Sequence, residues 1–331
     1  MSPMPKRIVV TTAPFGVHDR TPLELAAAAG IELTFNPLDR RLRPSEVLGV
    51  IKGFPVVVAG TEPITAEVIA ACPELRAICR VGIGLDSVDL IAARRHGIVV
   101  SYTPDGPSAA VAELTIGLMV DLLRGVYAAD RGLRAGKWIR YTGLRLANAT
   151  VGVLGVGRIG RRVVRHLRGG FPSVRILAND LAPDTTLEGV EWVDKETIYC
   201  QADIVTVHLP LTADTFDLIT TREFGMMKPS TILVNTARGG IVNEADLVRA
   251  LDSKTIRAAA IDVFCDEPYD GPLAQLPNAL LTCHMGSMTA DCRARMEIEA
   301  TQEAIRFLKG EKLLSPVPDE EYAIAERRAH S

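Results

Sequence analysis

The sequence predicts an α/β protein built on two open parallel sheets, and three observations carry that expectation. Short β-branched runs recur along the chain, each followed by a turn and an amphipathic helical stretch; this alternation is the mark of strands joined by crossover helices. The runs are apolar at nearly every position, as strands buried on both faces are expected to be. At 331 residues, with at least four runs before residue 101 and at least five after 150, the chain has material for two cores.

In order, the first group is Ile8–Val10, Val56–Val58, Leu75–Cys79 and Ile98–Val100. The second is Val151–Leu154, Ile176–Asn179, Ile204–Val207, Ile232–Val234 and Ala258–Ile261. Between the groups, Pro104, Gly106 and Pro107 mark a hinge. Ala109–Leu123 then reads as a helix apolar nearly all round, the character of a domain connector or a subunit interface. A late helix is expected from Thr289 through Met296 and Ile305 to Leu308, and the tail from Ser315 to Glu321 is expected to be loosely ordered.

Composition narrows the function classes. Hydrophobic residues make up 47 % and charged residues 23 %, an ordinary globular balance. A net charge of −3 gives no basic field for nucleic acid or a membrane surface, so a small anion must find local positive groups. The apolar runs are too short to cross a bilayer, and the opening Met-Ser-Pro-Met-Pro-Lys-Arg lacks the apolar core of a secretory signal. Six cysteines without a C-x-x-C pair fit a reduced, cytoplasmic protein. Cys265, Cys283 and His284 lack the spacing of a metal-ligand set, so no metal is expected.

The segment 151–160 holds G-x-G-x-x-G as Gly155, Gly157 and Gly160, directly after an apolar run and at the start of a helical stretch. In that context the first glycine makes a tight turn, the second lets backbone approach a pyrophosphate, and the third lets helix and strand pack closely. Twenty residues past Gly160, Asp180 ends the next strand run, where a carboxylate accepts from ribose hydroxyls and repels a 2′-phosphate. No arginine or lysine lies between Asn179 and Asp184, so NAD is expected in preference to NADP.

Three later segments each place one polar side chain after an apolar run: Arg238, Glu267 and His284. An arginine there can grip a carboxylate and polarise the adjoining carbonyl. A histidine can deliver a proton to a forming alkoxide, and a glutamate can orient the imidazole and favour its charged form. His208 follows the Ile204–Val207 run and precedes Leu209-Pro210, which reads as a wall of the cofactor pocket.

With these residues the chain resembles the D-isomer-specific 2-hydroxyacid dehydrogenases, and looks closest to the phosphoglycerate dehydrogenase branch. The likeness runs from about Val56 to Lys309. It rests on Arg80–Asp86, Val111–Glu113, the glycine motif, His208–Pro210, Asn235–Val242, Asp262–Pro268 and His284–Gly286. It implies a flavodoxin-like substrate domain (1–103 and 287–331) carrying an inserted Rossmann NAD-binding domain (104–286). It assigns catalysis to Arg238, Glu267 and His284, and the pyrophosphate to Arg158 and Ile159. Thr236, Asp262 and Gly286 would surround the nicotinamide, with His208 and Pro210 lining the cofactor pocket. The amides of Gly82, Ile83 and Gly84 would hold the substrate carboxylate, and Arg80 would meet a phosphate at the substrate's far end. The implied activity is reversible hydride transfer between NADH and a small 2-oxo acid, 3-phosphohydroxypyruvate among them, in a homodimer. Trp138 reads either as core or as part of an arm over a partner subunit.

Two positions depart from the family. Cys283 stands where proline usually precedes the histidine, and Ala59-Gly60-Thr61-Glu62 lacks the basic residue common in the phosphoglycerate branch, with Glu62 set to oppose an anion. Glyoxylate or hydroxypyruvate reduction, formate or phosphite oxidation, and a non-catalytic NAD-sensing protein of the same fold are the alternatives. The glutamate–histidine pair counts against formate oxidation, which needs no such acid.

Overall fold

The computed structural model describes residues 6–329. They divide into two compact units: one takes the chain up to Pro107 and again from Met288, the other is Ser108–Ser287. Every strand pairing within either sheet is parallel.

The first unit holds β1 (Arg7–Val10), β2 (Glu32–Phe35), β3 (Val56–Ala59), β4 (Ala77–Arg80) and β5 (Val99–Ser101). Their order is β2-β1-β3-β4-β5, the flavodoxin-like arrangement. β1, β3 and β4 lie inside the sheet under helices and are buried almost throughout, which is why apolar side chains, mostly valine, isoleucine and alanine, fill both parities. The helix Ala290–Lys309 returns to this unit and packs against β3 and β4.

The second unit holds β6 (Thr150–Leu154), β7 (Arg175–Asn179), β8 (Glu191–Trp192), β9 (Ile204–Val207), β10 (Ile232–Asn235), β11 (Ala258–Ile261) and β12 (Ala279–Leu281). Their order is β12-β11-β10-β9-β6-β7-β8, so the chain winds outward in both directions from β6. This is the Rossmann order with one further strand, and the ligand crevice of such a sheet lies at the carboxyl ends beside the reversal.

The Ser108–Arg124 helix packs against the Arg158–Gly170 helix and against β10 and β11. Leu118, Met119, Leu122 and Leu123 are buried there, and Glu113, Gly117 and Val120 face out. The tail after Ser315 is not loose. Tyr102 N–H donates to the Ser315 carbonyl and Val317 N–H to Val100, while the buried Glu303 carboxylate accepts from the amides of Leu314 and Ser315. The helix Asp319–Ala329 follows, with the Arg94 guanidinium 3.6 Å over the Tyr322 ring and 2.6 Å from Asp319.

Candidate active site

Because all strands of the second sheet run the same way, the residue after each strand emerges on one edge. Gly155 follows β6, Asp180 β7, His208 β9, Thr236 β10 and Asp262 β11; His284 comes three residues after β12. One topological fact gathers residues spread over 130 positions of sequence.

The glycine loop is shaped by close contacts. Gly155 has φ +88°, and a Cβ there would meet the His208 carbonyl at 2.7 Å. A Cβ on Gly160 would fall 2.0 Å from the Gly155 carbonyl. Gly157 is different: a Cβ there would meet nothing within 4 Å, so the fold itself makes no demand for glycine. Gly157 begins the Arg158–Gly170 helix, whose N-terminus has no side-chain cap. An open position before an uncapped helix N-terminus is what a pyrophosphate requires. Asp180 stands beside it, one carboxylate oxygen accepting from Val156 N–H at 2.7 Å and the other from Ala182 N–H at 2.9 Å. These residues fit a dinucleotide. Arg158 is exposed and Ile159 half-buried on the same turn.

His208 serves as wall through backbone and ring. Its carbonyl presses on Gly155, its Nε2 lies 3.0 Å from the Thr206 hydroxyl, and its Nδ1 is buried with no partner. Burial pushes its pKa down to about 3, so the ring is neutral. Pro210 is exposed, and its carbonyl accepts from the Thr215 hydroxyl.

His284 Nδ1 lies 2.9 and 3.0 Å from the two carboxylate oxygens of Glu267. This contact leaves Nε2 as the ring nitrogen turned away from the glutamate. Glu267 is itself held by Phe264 N–H, 3.2 Å from Oε1. His284 adopts φ +50°, a left-handed conformation unusual for a non-glycine residue, and its N–H donates to the Asp262 carbonyl at 2.8 Å. The Asp262 carboxylate, 1 % exposed, accepts from Thr282 Oγ1 (2.6 Å), Met285 N–H (2.9 Å) and Gly286 N–H (2.9 Å). One buried carboxylate thus ties both sides of the histidine turn.

Arg238 is half-buried and leaves a turn built by Asn235, whose side chain donates to the Arg238 carbonyl at 2.9 Å and accepts from Ala237 N–H at 3.0 Å. Gly239 lies so close to the backbone of Phe264 and Cys265 that a Cβ would meet it at 2.0 Å. This packing brings the arginine turn against the segment that carries Glu267. The buried Thr236 hydroxyl pairs with Thr115 at 2.9 Å.

In the other unit, two of the expected substrate contacts are already engaged inside the protein. Arg80 is 4 % exposed and donates through Nε and Nη2 to the Gly84 carbonyl (3.0 and 2.7 Å) and through Nη1 towards that of Ala59 (3.5 Å). These bonds brace the 81–84 loop. The Gly82 amide donates to Thr103 Oγ1 at 2.8 Å. Glu62 does not oppose an anion: it is buried, bonded to the Thr11 hydroxyl and to Gly60 N–H.

The sequence reading passed over several of these supports. Asn235 carries a readable signal, since an asparagine at a strand end often closes a local turn through its own side chain. Thr103, Thr115 and Thr282 carry none, because their partners are 20 to 121 residues away. Trp138 is 83 % exposed, which removes the core alternative within this chain. No cluster of metal-ligating side chains occurs among the described residues.

Comparison with known proteins agrees with this geometry. Residues 116–286 match the family described as D-isomer specific 2-hydroxyacid dehydrogenase, NAD binding domain. A D-3-phosphoglycerate dehydrogenase of Methanocaldococcus jannaschii is 37 % identical over 294 residues, covering 87 % of this chain and 54 % of the relative. A glyoxylate reductase of Thermofilum pendens is 37 % identical over 263 residues, covering 76 % of this chain and 77 % of the relative. The crystal structure of a glyoxylate reductase from Paecilomyes thermophila superposes with a TM-score of 0.82 at 30 % identity, over 96 % of this chain and 100 % of that one. The chain spans about half the length of the phosphoglycerate dehydrogenases it matches. With an NAD-binding glycine loop, a carboxylate-backed histidine and matches of this extent, the chain belongs to the D-isomer specific 2-hydroxyacid dehydrogenase family.

Proposed function

We propose that the protein is an NAD-dependent D-2-hydroxyacid dehydrogenase that reduces a short 2-oxo acid, with glyoxylate and hydroxypyruvate as the leading substrates. The observation that carries the reading is the His284–Glu267 pair, a proton donor with its orienting carboxylate at 2.9 Å on the cofactor edge of the sheet. NADH, when bound through the glycine loop and Asp180, supplies the hydride. His284 Nε2 holds the proton that goes to the substrate's C2 oxygen, so the 2-oxo acid gains one hydride and one proton. Glu267 fixes the ring through Nδ1. Arg238 binds the substrate carboxylate and polarises the adjoining carbonyl. The amides of Ile83 and Gly84 are the carboxylate donors we assign to the other unit.

The preference for unphosphorylated substrates follows from Arg80, whose guanidinium faces the Gly84 carbonyl. A steady-state panel of glyoxylate, hydroxypyruvate, 3-phosphohydroxypyruvate and longer 2-oxo acids with NADH and NADPH tests the assignment. Turnover with NADH and highest kcat/KM on glyoxylate or hydroxypyruvate is expected. A clear preference for 3-phosphohydroxypyruvate would reverse the substrate order. NADH binding without turnover on any member would leave the NAD-sensing protein.

We further propose a homodimer. The helix Val126–Arg134 buries no residue in its own chain, and the segment after it exposes Trp138, Ile139 and Tyr141, more apolar surface than a monomer usually leaves open. Light scattering should give twice the 35.7 kDa of one chain. Six unpaired thiols suit a reducing, cytoplasmic setting.

A further inference from the structure

We propose that Glu244 is a positioning residue for the acid–base pair, holding the Glu267 segment in register through the backbone amide of Cys265; this rests on the catalytic reading of His284 and Glu267.

The argument starts from how the 264–269 segment is held. Glu267 leaves an irregular stretch after β11, where no strand pairing fixes its place. Side-chain contacts help to do so instead. Phe264 N–H reaches Glu267, and the Phe264 and Tyr269 rings stack with centroids 4.2 Å apart. Another comes from outside the segment: Glu244 Oε1 accepts from Cys265 N–H at 2.7 Å. A carboxylate on a backbone amide is a charge-assisted bond, stronger than a neutral one. The Cys265 thiol sits against the same carboxylate; burial and Glu244 push it up to about 11, so it stays protonated and adds no competing charge.

Glu244 is well anchored for this task. It opens the helix Glu244–Asp252, capped by the Asn243 side chain on Asp246 N–H at 3.0 Å. Asn243 N–H in turn donates to the Ile219 carbonyl. The same helix continues directly from the Arg238 turn, whose Gly239 packs on the backbone of Phe264 and Cys265. Glu244 therefore fastens the arginine-bearing turn to the glutamate-bearing segment at a second point, two residues before Glu267. Without it, the Glu267 carboxylate keeps its chemistry and loses its address relative to His284.

The test is kinetic, on the full chain, with glyoxylate or hydroxypyruvate and NADH. Glu244→Ala should lower kcat by about 10- to 100-fold, the scale of a displacement near 1 Å at a reacting group. Its KM for NADH should stay within about threefold, because binding and the chemical step are affected unequally. The pH profile of kcat should differ from wild type, because the Glu267 carboxylate no longer sits where His284 meets it. Glu244→Gln keeps an acceptor oxygen and should restore both rate and profile. Glu244→Asp, one methylene shorter, keeps the charge but not the reach, and should resemble Ala; it serves if the alanine variant folds poorly. Wild-type kcat and profile in both the Ala and Asp variants would overturn the proposal. Equal losses in Gln and Ala would overturn it too, by showing that the charge matters and the hydrogen bond does not. Glu267→Gln, run in parallel, separates the failures: a wild-type profile there removes the acid–base pair itself.

Discussion

Replacing Asp262 by asparagine changes one atom and tests how the histidine turn is built. The carboxylate is 1 % exposed and takes three hydrogen bonds, two at Oδ1 (Thr282 Oγ1 and Met285 N–H) and one at Oδ2 (Gly286 N–H). Asparagine keeps the volume, so no cavity forms. Its NH2 must replace one of the two oxygens, and either choice turns it toward a backbone N–H that has nowhere else to donate. At least one bond to a charged acceptor is lost, worth about 1.5–3 kcal/mol, and a buried donor is left unsatisfied. At roughly 2–4 °C per kcal/mol for a domain of this size, the transition of the Ser108–Ser287 unit should fall by about 5–10 °C. Thr282→Val removes a neutral donor to the same carboxylate and should cost about 1 kcal/mol. The turn carries His284 at φ +50°, so kcat should fall in the asparagine variant beyond anything seen in Thr282→Val. Scanning calorimetry and steady-state rates read both quantities. An asparagine variant that melts within a degree of wild type and turns over normally would refute the claim that this carboxylate holds the turn.

His284→Ala should reduce kcat by about 10²–10⁴-fold, the usual contribution of a general acid, with NADH affinity little changed by fluorescence titration. Gly157→Ala should leave Tm unchanged and weaken NADH binding, since its Cβ meets only the open cofactor position. Gly160→Ala should lose both, its Cβ lying 2.0 Å from a carbonyl. Unequal protonation of His208 should weaken the fold in mild acid. The unfolded imidazole takes a proton near 6.5, the buried one not until about 3, so the unfolded state binds more protons between those values and stability drops as pH falls. By pH 5 the loss is about 2 kcal/mol at 1.36 kcal/mol per unit, and His208→Gln should flatten that part of a urea-midpoint profile.

What the sequence could disclose follows from where each element sits. The strands found by their apolar runs are the covered ones. The three that were missed, β2, β8 and β12, are all sheet edges, part-exposed and short, where no uniform run of valine and isoleucine is needed. β5 is also an edge, yet it was legible because the 315–317 segment covers it, and that segment was misread for the same reason in reverse. Its polar, proline-rich composition gives no sign that Glu303 and β5 hold its backbone. The glycine loop and Asp180 were readable because each lies directly beyond a strand run, and Arg238, Glu267 and His284 through the motifs around them. The division of labour among neighbouring polar groups was not, since it depends on which donors the fold consumes.

Arg80 brings that last point to a decision. A guanidinium two residues before a carboxylate-binding loop reads as a ligand contact, and the selective effect expected from removing it would be a higher KM for a phosphorylated substrate alone. Its observed partners include the Gly84 carbonyl of the loop, met by two donors, and the Ala59 carbonyl at the end of β3. Arg80→Ala should then act on the loop and not on one substrate. The side chain is 4 % exposed, so truncation leaves a cavity and unpaired carbonyls, with a cost of about 3 kcal/mol from two or three lost bonds. KM should rise for glyoxylate, hydroxypyruvate and 3-phosphohydroxypyruvate by one common factor, because the loop Arg80 braces is the one proposed to take the carboxylate that all three share. Arg80→Lys should recover little, as a single ammonium cannot reproduce the forked contact on Gly84. A KM that rose for 3-phosphohydroxypyruvate and stayed constant for the other two would return Arg80 to the substrate and contradict the bracing role.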